Sequence, residues 1–564
     1  MNTKEDFKRL AEYIFPNAKN WEEYILKYPK RELKEGSEVT RFAPSPTGFI
    51  HIGGLYTAII SEKIAKETDG VFILRIEDTD QKREVEDGIE EIINSLKDFN
   101  IFPDEGPLDF KDGEISEKGN YGTYIQSKRK EIYEAFAKKL LSEGFAYPCF
   151  MTEEEMNEVR ALQAANKEPI GIYGRWAKYR DMDANEAIKL MEEGLEPVIR
   201  LKSPGQMNKK IVHNDLIKGK VEFPENILDI VIIKKDGLPT YHFAHAIDDH
   251  FMGVTMITRS DEWLPSVPLH LQLFDVLGFE RLKYAHVAPL LKLDNGNRRK
   301  LSKRKDPESA ASYYKEEGIP VDAVKEYLYN IINPSFEMWR KENEDKPLSE
   351  FKIDITKMNV SGALFDMTKL LNVSKDIVAR LNKDEVYNYT LKWASIYDKE
   401  LYDLLNNNKE YSLEILNIER ESGRRKDIAK WSDVKDSIIY MYPDEFEKNV
   451  KTIEDYEFKE ELSKEKKSEI EDIVKTYIDK YLDFNDDKDT WFNKIKELSF
   501  EFGYAKEIKE FKKNKEAYKG HVGDVSGYIR VVLTGKSRTP DLYEIIKVLK
   551  KDEIQKRVDK FINL

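Results

Sequence analysis

After a histidine and two glycines, HIGG, apolar residues recur at helical spacing: Ile52, Tyr56, Ile59, Ile60 and Ile64. They predict one amphipathic helix, with Gly70 suited to its C-cap. EVTRFA before the helix and VFILRIEDTD after it read as strands, the second buried and ending in carboxylates. Strand, helix, strand makes one βαβ unit of a parallel sheet, whose ligand is expected at the carboxyl ends of the strands. QSKRKEIYEAFAKKLLSEGFAYPCF then opens a mixed helical and strand region lasting to about residue 235. A second α/β stretch begins near DIVIIKKDGLPTYHFAHAIDDH and reaches a basic run. KENEDKP at 341–347 and NNNKE at 406–410 look like linkers or loops, and from about 385 onward charged amphipathic helices dominate. Residues 1–37 are charged and aromatic, helical around LAEYI, and carry no motif that assigns them a role. There is no internal repeat.

At 564 residues the chain exceeds one core, and 40% hydrophobic content can bury several, so three to five domains are expected. No apolar run approaches the roughly 18 residues of a membrane span, and no charged-then-apolar leader opens the chain. The reading is a soluble, cytoplasmic protein with no membrane partner. The single cysteine, Cys149, excludes an internal disulfide and any cysteine-based zinc cluster, so no zinc is expected. Asn372-Val373-Ser374 accordingly carries no glycosylation meaning. A net charge of −14 argues, taken alone, against nucleic acid, but RRKLSKRK at 298–305 places six basic side chains in eight residues.

Two stretches carry chemistry. In RFAPSPTGFIHIGG a strand leads through Pro44-Ser45-Pro46-Thr47-Gly48-Phe49-Ile50 into a helix that starts at His51-Ile52-Gly53-Gly54. Backbone N–H groups at a helix start favour anions, and the glycines admit a flat base or a phosphate. The second stretch, Lys300-Leu301-Ser302-Lys303-Arg304, sets two lysines three apart in a loop, which suits a triphosphate whose charge must be held as a bond breaks. Each alone is more simply a capped turn and a solvated basic loop.

Together, in this order and about 250 residues apart, the two resemble the paired signatures of class I aminoacyl-tRNA synthetases. HIGG stands at the HIGH-type signature (44–54) and KLSKR at the KMSKS-type loop. RFAPSPTG, LRIEDTD, PTYHFAHAIDDHFMGVT and TRSDEWL resemble glutamyl-tRNA synthetases in particular, and GDVSGYIRVVLTGKSRTPDLYEII resembles the terminal domain of the bacterial type. The likeness runs from about 38 to 564.

The resemblance implies an α/β fold: a Rossmann-type catalytic domain with an inserted acceptor-binding α/β domain, followed by an all-α stem-contact and anticodon-binding region. The implied boundaries are an N-terminal extension (1–37), catalytic halves at 38–129 and 236–299, and the insertion at 130–235. A KMSKS-type loop and stem-contact domain (300–385) and two helical anticodon domains (386–490 and 491–564) complete the chain. It also implies a two-step reaction through glutamyl-adenylate, with ATP and Mg2+, L-glutamate and tRNA(Glu), and leaves tRNA(Gln) open as a second acceptor. His51, Lys300 and Lys303 would be catalytic. Thr47, Gly53, Gly54, Glu262, Trp263, Leu291 and Lys303 would line the ATP site. A substrate with a side-chain carboxylate and an α-ammonium calls for a fixed guanidinium and an acid. Arg41 and Arg259 would hold the carboxylate with Tyr241, and Glu77 the ammonium, beside Ala43 and Ser45. His245 stands where many relatives carry asparagine, so substrate contact and a supporting role both stay open. Arg424 and Arg425 fall where the family reads the last anticodon base. A monomer is expected.

Two other motifs fail. TGKS at 534–537 would need a glycine at 530 to be a P-loop, and that residue is Arg530. Asp248-Asp249-His250 resembles a metal cluster, but adjacent acids point to different sides of a helix or strand, which favours a structural or hinge role. A glutaminyl-tRNA synthetase is the nearest rival enzyme, although its anticodon end is usually built of β-barrels. A catalytically inactive RNA-binding paralogue is the rival from outside enzymes.

Overall fold

The structure is a computed structural model that describes every residue except Met1, Asp112, Lys303 and 422–424. It divides into two compact units, residues 1–313 with 325–366, and residues 314–324 with 367–564.

The first unit is α/β. Strand β1 (Val39–Phe42), helix α1 (Ile52–Glu67) and strand β2 (Val71–Leu74) form the expected βαβ unit, β1 and β2 running parallel from Val39 beside Val71 to Phe42 beside Leu74. Every residue of β1 is buried, as continuous burial on both sheet faces demands. His51 is the N-cap of α1, its Nδ1 accepting the Gly53 N–H at 3.0 Å. The helix ends differently from the expectation for Gly70. Thr68 is the C-cap and Asp69, at φ 51°, is the left-handed residue. Gly70 answers another demand, since a Cβ there would lie 1.9 Å from the Glu38 carbonyl oxygen.

Helix α2 (Tyr241–Phe251), strand β3 (Met256–Ser260), helix α3 (Val267–Leu277) and strand β4 (Lys283–Val287) make the second half, with β3 and β4 parallel. Thr255 joins the halves: its N–H donates to the Val39 carbonyl at 3.0 Å, and its hydroxyl accepts the Val39 N–H at 2.8 Å. Between the halves lie an antiparallel sheet of Ala146–Cys149, Val198–Leu201 and Val231–Ile233, and a hairpin pairing Lys210–Asp215 with Gly219–Pro224. After β4 comes the hairpin β5 (Leu290–Asp294) and β6 (Asn297–Lys300).

Residues 1–37, without a role from sequence, brace this unit. Helix Lys4–Ile14 starts in a capping box at Thr3 and packs on helices Lys130–Ser142 and Ala184–Glu192. Arg31 pairs with Glu105 through both Nη atoms at 2.8 and 2.7 Å, and the Tyr28 hydroxyl donates to the Gly122 carbonyl at 2.9 Å.

The second unit is helical, with no strand among the described residues. Its core gathers apolar residues from Val378 to Phe561. Gly535, at φ 71°, is the left-handed C-cap of helix Val522–Thr534, so TGKS forms a helix end and not a phosphate loop. No helix among the described residues is long and apolar enough to cross a membrane.

Candidate active site

The carboxyl ends of β1, β2 and β3 open into a cavity of about 860 Å³. Its floor is a buried charge network. Asp249 on α2 accepts the Arg75 Nη1 at 2.5 Å and lies 3.4 Å from the Arg41 Nε, while Arg75 Nη2 donates to Glu77 at 3.0 Å. Arg41 Nη1 also donates to the Thr258 carbonyl at 3.3 Å, tying β1 to β3. The neighbouring Asp248 faces the other way, accepting Gln126 Nε2 at 2.9 Å, Arg129 Nε at 2.8 Å and the Tyr133 hydroxyl at 2.8 Å. The pair of acids therefore locks three arginines, Arg41 and Arg75 on one side of the helix and Arg129 on the other. Burial pushes the Glu77 carboxyl above its ordinary range, although Arg75 and Arg41 pull it down.

Arg259, at the end of β3, is buried differently. Nε donates to His286 Nε2 at 2.9 Å, Nη1 lies 3.1 Å from His270 Nδ1, and Nη2 donates to the Trp263 carbonyl at 3.2 Å and the Ser266 hydroxyl at 3.3 Å. Its guanidinium carbon sits 4.9 Å from the Tyr284 ring centroid. No carboxylate among the described residues forms an ion pair with it, and the surrounding imidazoles are uncharged. Burial holds His245, His270 and His242 below the ordinary histidine range, His242 at about 4; nearby guanidiniums lower His245 and His242 further, and His245 and Arg259 lower His270. The buried floor thus carries three guanidiniums, Arg41, Arg75 and Arg259, against two carboxylates, Asp249 and Glu77. Asp215 lies one hydrogen bond further off, behind His286, so it is the absence of a directly bonded carboxylate that leaves Arg259 open to an anionic ligand.

The Pro44 carbonyl accepts the Glu77 N–H at 3.0 Å and the Pro46 carbonyl the Val85 N–H at 3.0 Å, so the proline turn anchors the chain leaving β2. Because His51 Nδ1 is an acceptor, the neutral ring carries its proton on Nε2. The two motifs meet next door: the Ala311 N–H donates to the Ile50 carbonyl at 3.0 Å, and His51 bridges to Ala310. Asp306, missed by sequence reasoning, orders the basic loop. It accepts Arg299 through Nη1 at 2.6 Å and Nη2 at 2.8 Å, and the Ser302 N–H at 2.9 Å. The Arg299 guanidinium holds this carboxyl far below the usual range. Lys300 pairs with Glu262.

Of the residues singled out by sequence, Arg41, Ala43, Ser45, His51, Gly53, Gly54, Glu77, Tyr241, Arg259, Glu262, Trp263, Lys300, Leu301 and Ser302 border the cavity. Thr47 is exposed outside it, Arg304 is exposed, and Leu290 borders it where Leu291 does not. His245 is buried behind Tyr241, its Nδ1 3.0 Å from Asp249 and its Nε2 3.3 Å from the Tyr284 hydroxyl. Lys303 lies outside the described residues. Phe42, Tyr56, Thr57, Thr79, Asp80, Thr258, Ser260 and the 287–290 segment also border the cavity; Phe42, Thr79, Asp80, Thr258 and Ser260 lie within stretches the sequence marked, whereas Thr57 and 287–289 carried no signal. In the second unit, Arg425 is buried, donating to the Ile415 carbonyl at 2.7 Å and pairing with Asp427 at 3.1 Å. It borders a cavity of about 480 Å³ with Tyr440, Lys536 and Arg538. Arg424 lies outside the described residues.

Residues 38–369 match the family described as tRNA synthetases class I (E and Q), catalytic domain, and residues 424–562 match an anticodon binding domain. A parallel sheet with both motifs at one cavity, joined to a helical end, is the architecture of a class I aminoacyl-tRNA synthetase. The glutamate–tRNA ligase of Clostridium perfringens (strain SM101 / Type A) is 50% identical, covering 99% of this chain and 100% of its own. That of Acetivibrio thermocellus is 44% identical with the same coverage. A crystal structure of a glutamate tRNA ligase from Elizabethkingia meningosepticum, in complex with its amino acid, aligns with a TM-score of 0.73 at 26% identity, over 94% of this chain and 99% of that one. The chain belongs to the glutamate–tRNA ligase family.

Proposed function

We propose that the chain attaches L-glutamate to tRNA(Glu) at the expense of ATP, and that the cavity at the strand ends is where both steps occur. The observation that carries the reading is Arg259 at the wall of the cavity, a buried guanidinium with no directly bonded carboxylate among the described residues, which suits the side-chain carboxylate of glutamate. Arg259 and Arg41 hold the side-chain carboxylate with a bond from the protonated Tyr241 hydroxyl, and Glu77 holds the ammonium. Burial raises the Tyr241 pKa, which keeps it a donor. Ala43 and Ser45 flank the amino acid.

The α-carboxylate oxygen then attacks the α-phosphorus of ATP, the bond to the β-phosphate oxygen breaks, and glutamyl-adenylate and pyrophosphate form. His51 Nε2–H meets a phosphate, Gly53 and Gly54 let the nucleotide approach the start of α1, and Lys300 with Lys303 neutralises the departing pyrophosphate. Glu262, Trp263, Leu291 and Thr47 complete the nucleotide site in this reading, Leu291 and Thr47 lying just outside the cavity as the structure stands. Among the described residues no three metal-ligating side chains converge. When bound, Mg2+ would lower the charge of the triphosphate, which would itself supply most of its ligands. In the second step a hydroxyl of the terminal ribose of tRNA attacks the glutamyl carbonyl carbon and AMP leaves.

In this reading the 130–235 insertion serves the acceptor end and residues 386–564 the anticodon, with Arg424 and Arg425 as base contacts, Arg425 at the edge of the smaller cavity. We read the protein as a cytoplasmic monomer. Attachment of glutamate to separate transcripts of tRNA(Glu) and tRNA(Gln) tests the whole assignment. Charging of tRNA(Glu) is expected, charging of both would mark a relaxed anticodon site, and charging of neither would favour an RNA-binding protein without chemistry.

Two variants probe the motifs. His51→Asn keeps a good helix N-cap but removes the ring N–H, and is expected to slow adenylate formation by about 10²–10³ with tRNA affinity unchanged. A similar loss in tRNA affinity would reject that role. Asp306→Asn removes the charge that gathers Arg299, Lys292 and the Ser302 N–H. It should lower kcat about tenfold, the size of one lost charge-assisted bond, at an unchanged KM for glutamate. ATP–pyrophosphate exchange with glutamate and tRNA present measures both.

A further inference from the structure

Arg259 is held at its Nε by a side chain that is itself held by another element. His286, on β4, accepts the Arg259 Nε–H on its Nε2 at 2.9 Å. Its Nδ1 lies 2.6 Å from an oxygen of Asp215, so the ring must carry its proton on Nδ1 and present a lone pair to the arginine. Asp215 ends the first strand of the Lys210–Asp215 and Gly219–Pro224 hairpin. It is buried and held by the backbone: its carboxylate accepts the N–H groups of Ile217 at 3.0 Å, Lys218 at 2.8 Å and His286 at 3.2 Å. The hairpin turn is also tied to β4 by the Leu216 N–H, which donates to the Tyr284 carbonyl at 2.8 Å, and to the segment just after β3 by Lys218, which reaches Asp261 at 2.9 Å. Burial alone would raise the Asp215 carboxyl, but these bonds outweigh it and keep the group ionised. Burial likewise favours the neutral form of His286.

We infer that Asp215 and His286 are positioning residues for glutamate selection: the carboxylate sets the histidine tautomer, and the histidine sets the guanidinium plane of Arg259. The inference rests on Arg259 being the ligand of the substrate carboxylate. Its consequence is that the amino-acid pocket is tuned from the hairpin of the inserted segment, outside the cavity.

Asp215→Asn is the discriminating change. The backbone N–H groups require an acceptor, so the asparagine oxygen stays with them and its NH2 turns to His286 Nδ1. The imidazole then protonates on Nε2, setting one N–H against the Arg259 N–H. A misassigned tautomer of this kind is how an asparagine in place of the catalytic-triad aspartate disables serine proteases. The expected result is a glutamate KM raised about 10–100-fold, the size of a lost bond to a charged group, with the KM for ATP within about threefold. His286→Gln keeps one acceptor for Arg259 and one donor for Asp215 and should stay near the wild-type glutamate KM, whereas His286→Phe should match Asp215→Asn. In the His286→Phe background Asp215→Asn should add little, because both act through one bond.

Steady-state kinetics on the full chain, with tRNA present, reads all of these. A glutamate KM within twofold of wild type in Asp215→Asn, or equal rises in both KM values, overturns the relay. Should Asp215→Asn fail to fold, the contrast between His286→Gln and His286→Phe decides: the same KM in both rejects it. Arg259→Ala separates the layers. An unchanged glutamate KM there removes the reading of Arg259 and the relay with it; a raised KM there beside an unaffected Asp215→Asn removes the relay alone.

Discussion

Arg259→Ala is expected to lower kcat/KM for glutamate by about 10²–10³-fold, in line with truncating one partner of a buried, hydrogen-bonded charge pair. The KM for ATP should change little. The reason lies in the direct partners: Arg41 and Arg75 share Asp249 and Glu77, while Arg259 bonds only to imidazoles, a carbonyl and a hydroxyl, with Asp215 one hydrogen bond further off behind His286. In this reading a directly bonded counter-charge comes with the ligand. Arg259→Lys should rescue poorly, because three guanidinium nitrogens serve different partners and an ammonium on a flexible stem cannot span them. Discrimination between glutamate and glutamine should fall as well, since the lost charge is what favours a carboxylate over a carboxamide. ATP–pyrophosphate exchange with each amino acid, tRNA included, measures this; an undiminished preference for glutamate would count against the assignment.

Asp249→Ala is expected to destabilise the first unit by about 3–5 kcal/mol, the range for breaking a buried ion pair and leaving its partner behind. Asp249 is fully buried, and its loss would strand Arg75 and Arg41 with Glu77 as their only acid. Rearrangement of Arg41 toward Glu77 would also take both from the substrate, so surviving protein should bind glutamate weakly. Urea unfolding followed at the earliest transition checks the first claim, because a protein of two compact units need not unfold in one step. Lys34→Ala, which breaks the exposed pair with Asp69, is the control and should leave the midpoint unmoved. Equal midpoints for Asp249→Ala and Lys34→Ala would show that the network is not what holds the floor.

The lesson about legibility lies in particular residues. The period of apolar positions foretold α1 and its flanking strands, and the motifs placed His51, Arg41, Glu77 and Lys300 in segments that do converge on one cavity. Asp215, His286 and Asp306 gave no such sign. A lone acid or histidine in a mixed stretch fits a surface site as well as a buried one, and only a partner decides. For Asp215 that partner is 71 positions away, and for Arg41 the restraining Asp249 is 208 away. Gly70 was misread for the same reason: its requirement comes from the Glu38 carbonyl across the turn, not from the helix it follows. The extension at 1–37 looked purposeless because its partners, helices 130–142 and 184–192, belong to another part of the chain.

By itself, then, the sequence determined the local periods, the glycine and proline positions, and the types of group available for phosphate and carboxylate chemistry. These depend on neighbours a few residues apart, within reach of backbone hydrogen bonding and side-chain spacing. Tertiary structure alone decided which charges are paired, which are left for a ligand and which histidine tautomer faces Arg259. Such choices follow from burial and from contacts between distant segments, and a buried charge takes its role from whatever the fold sets against it.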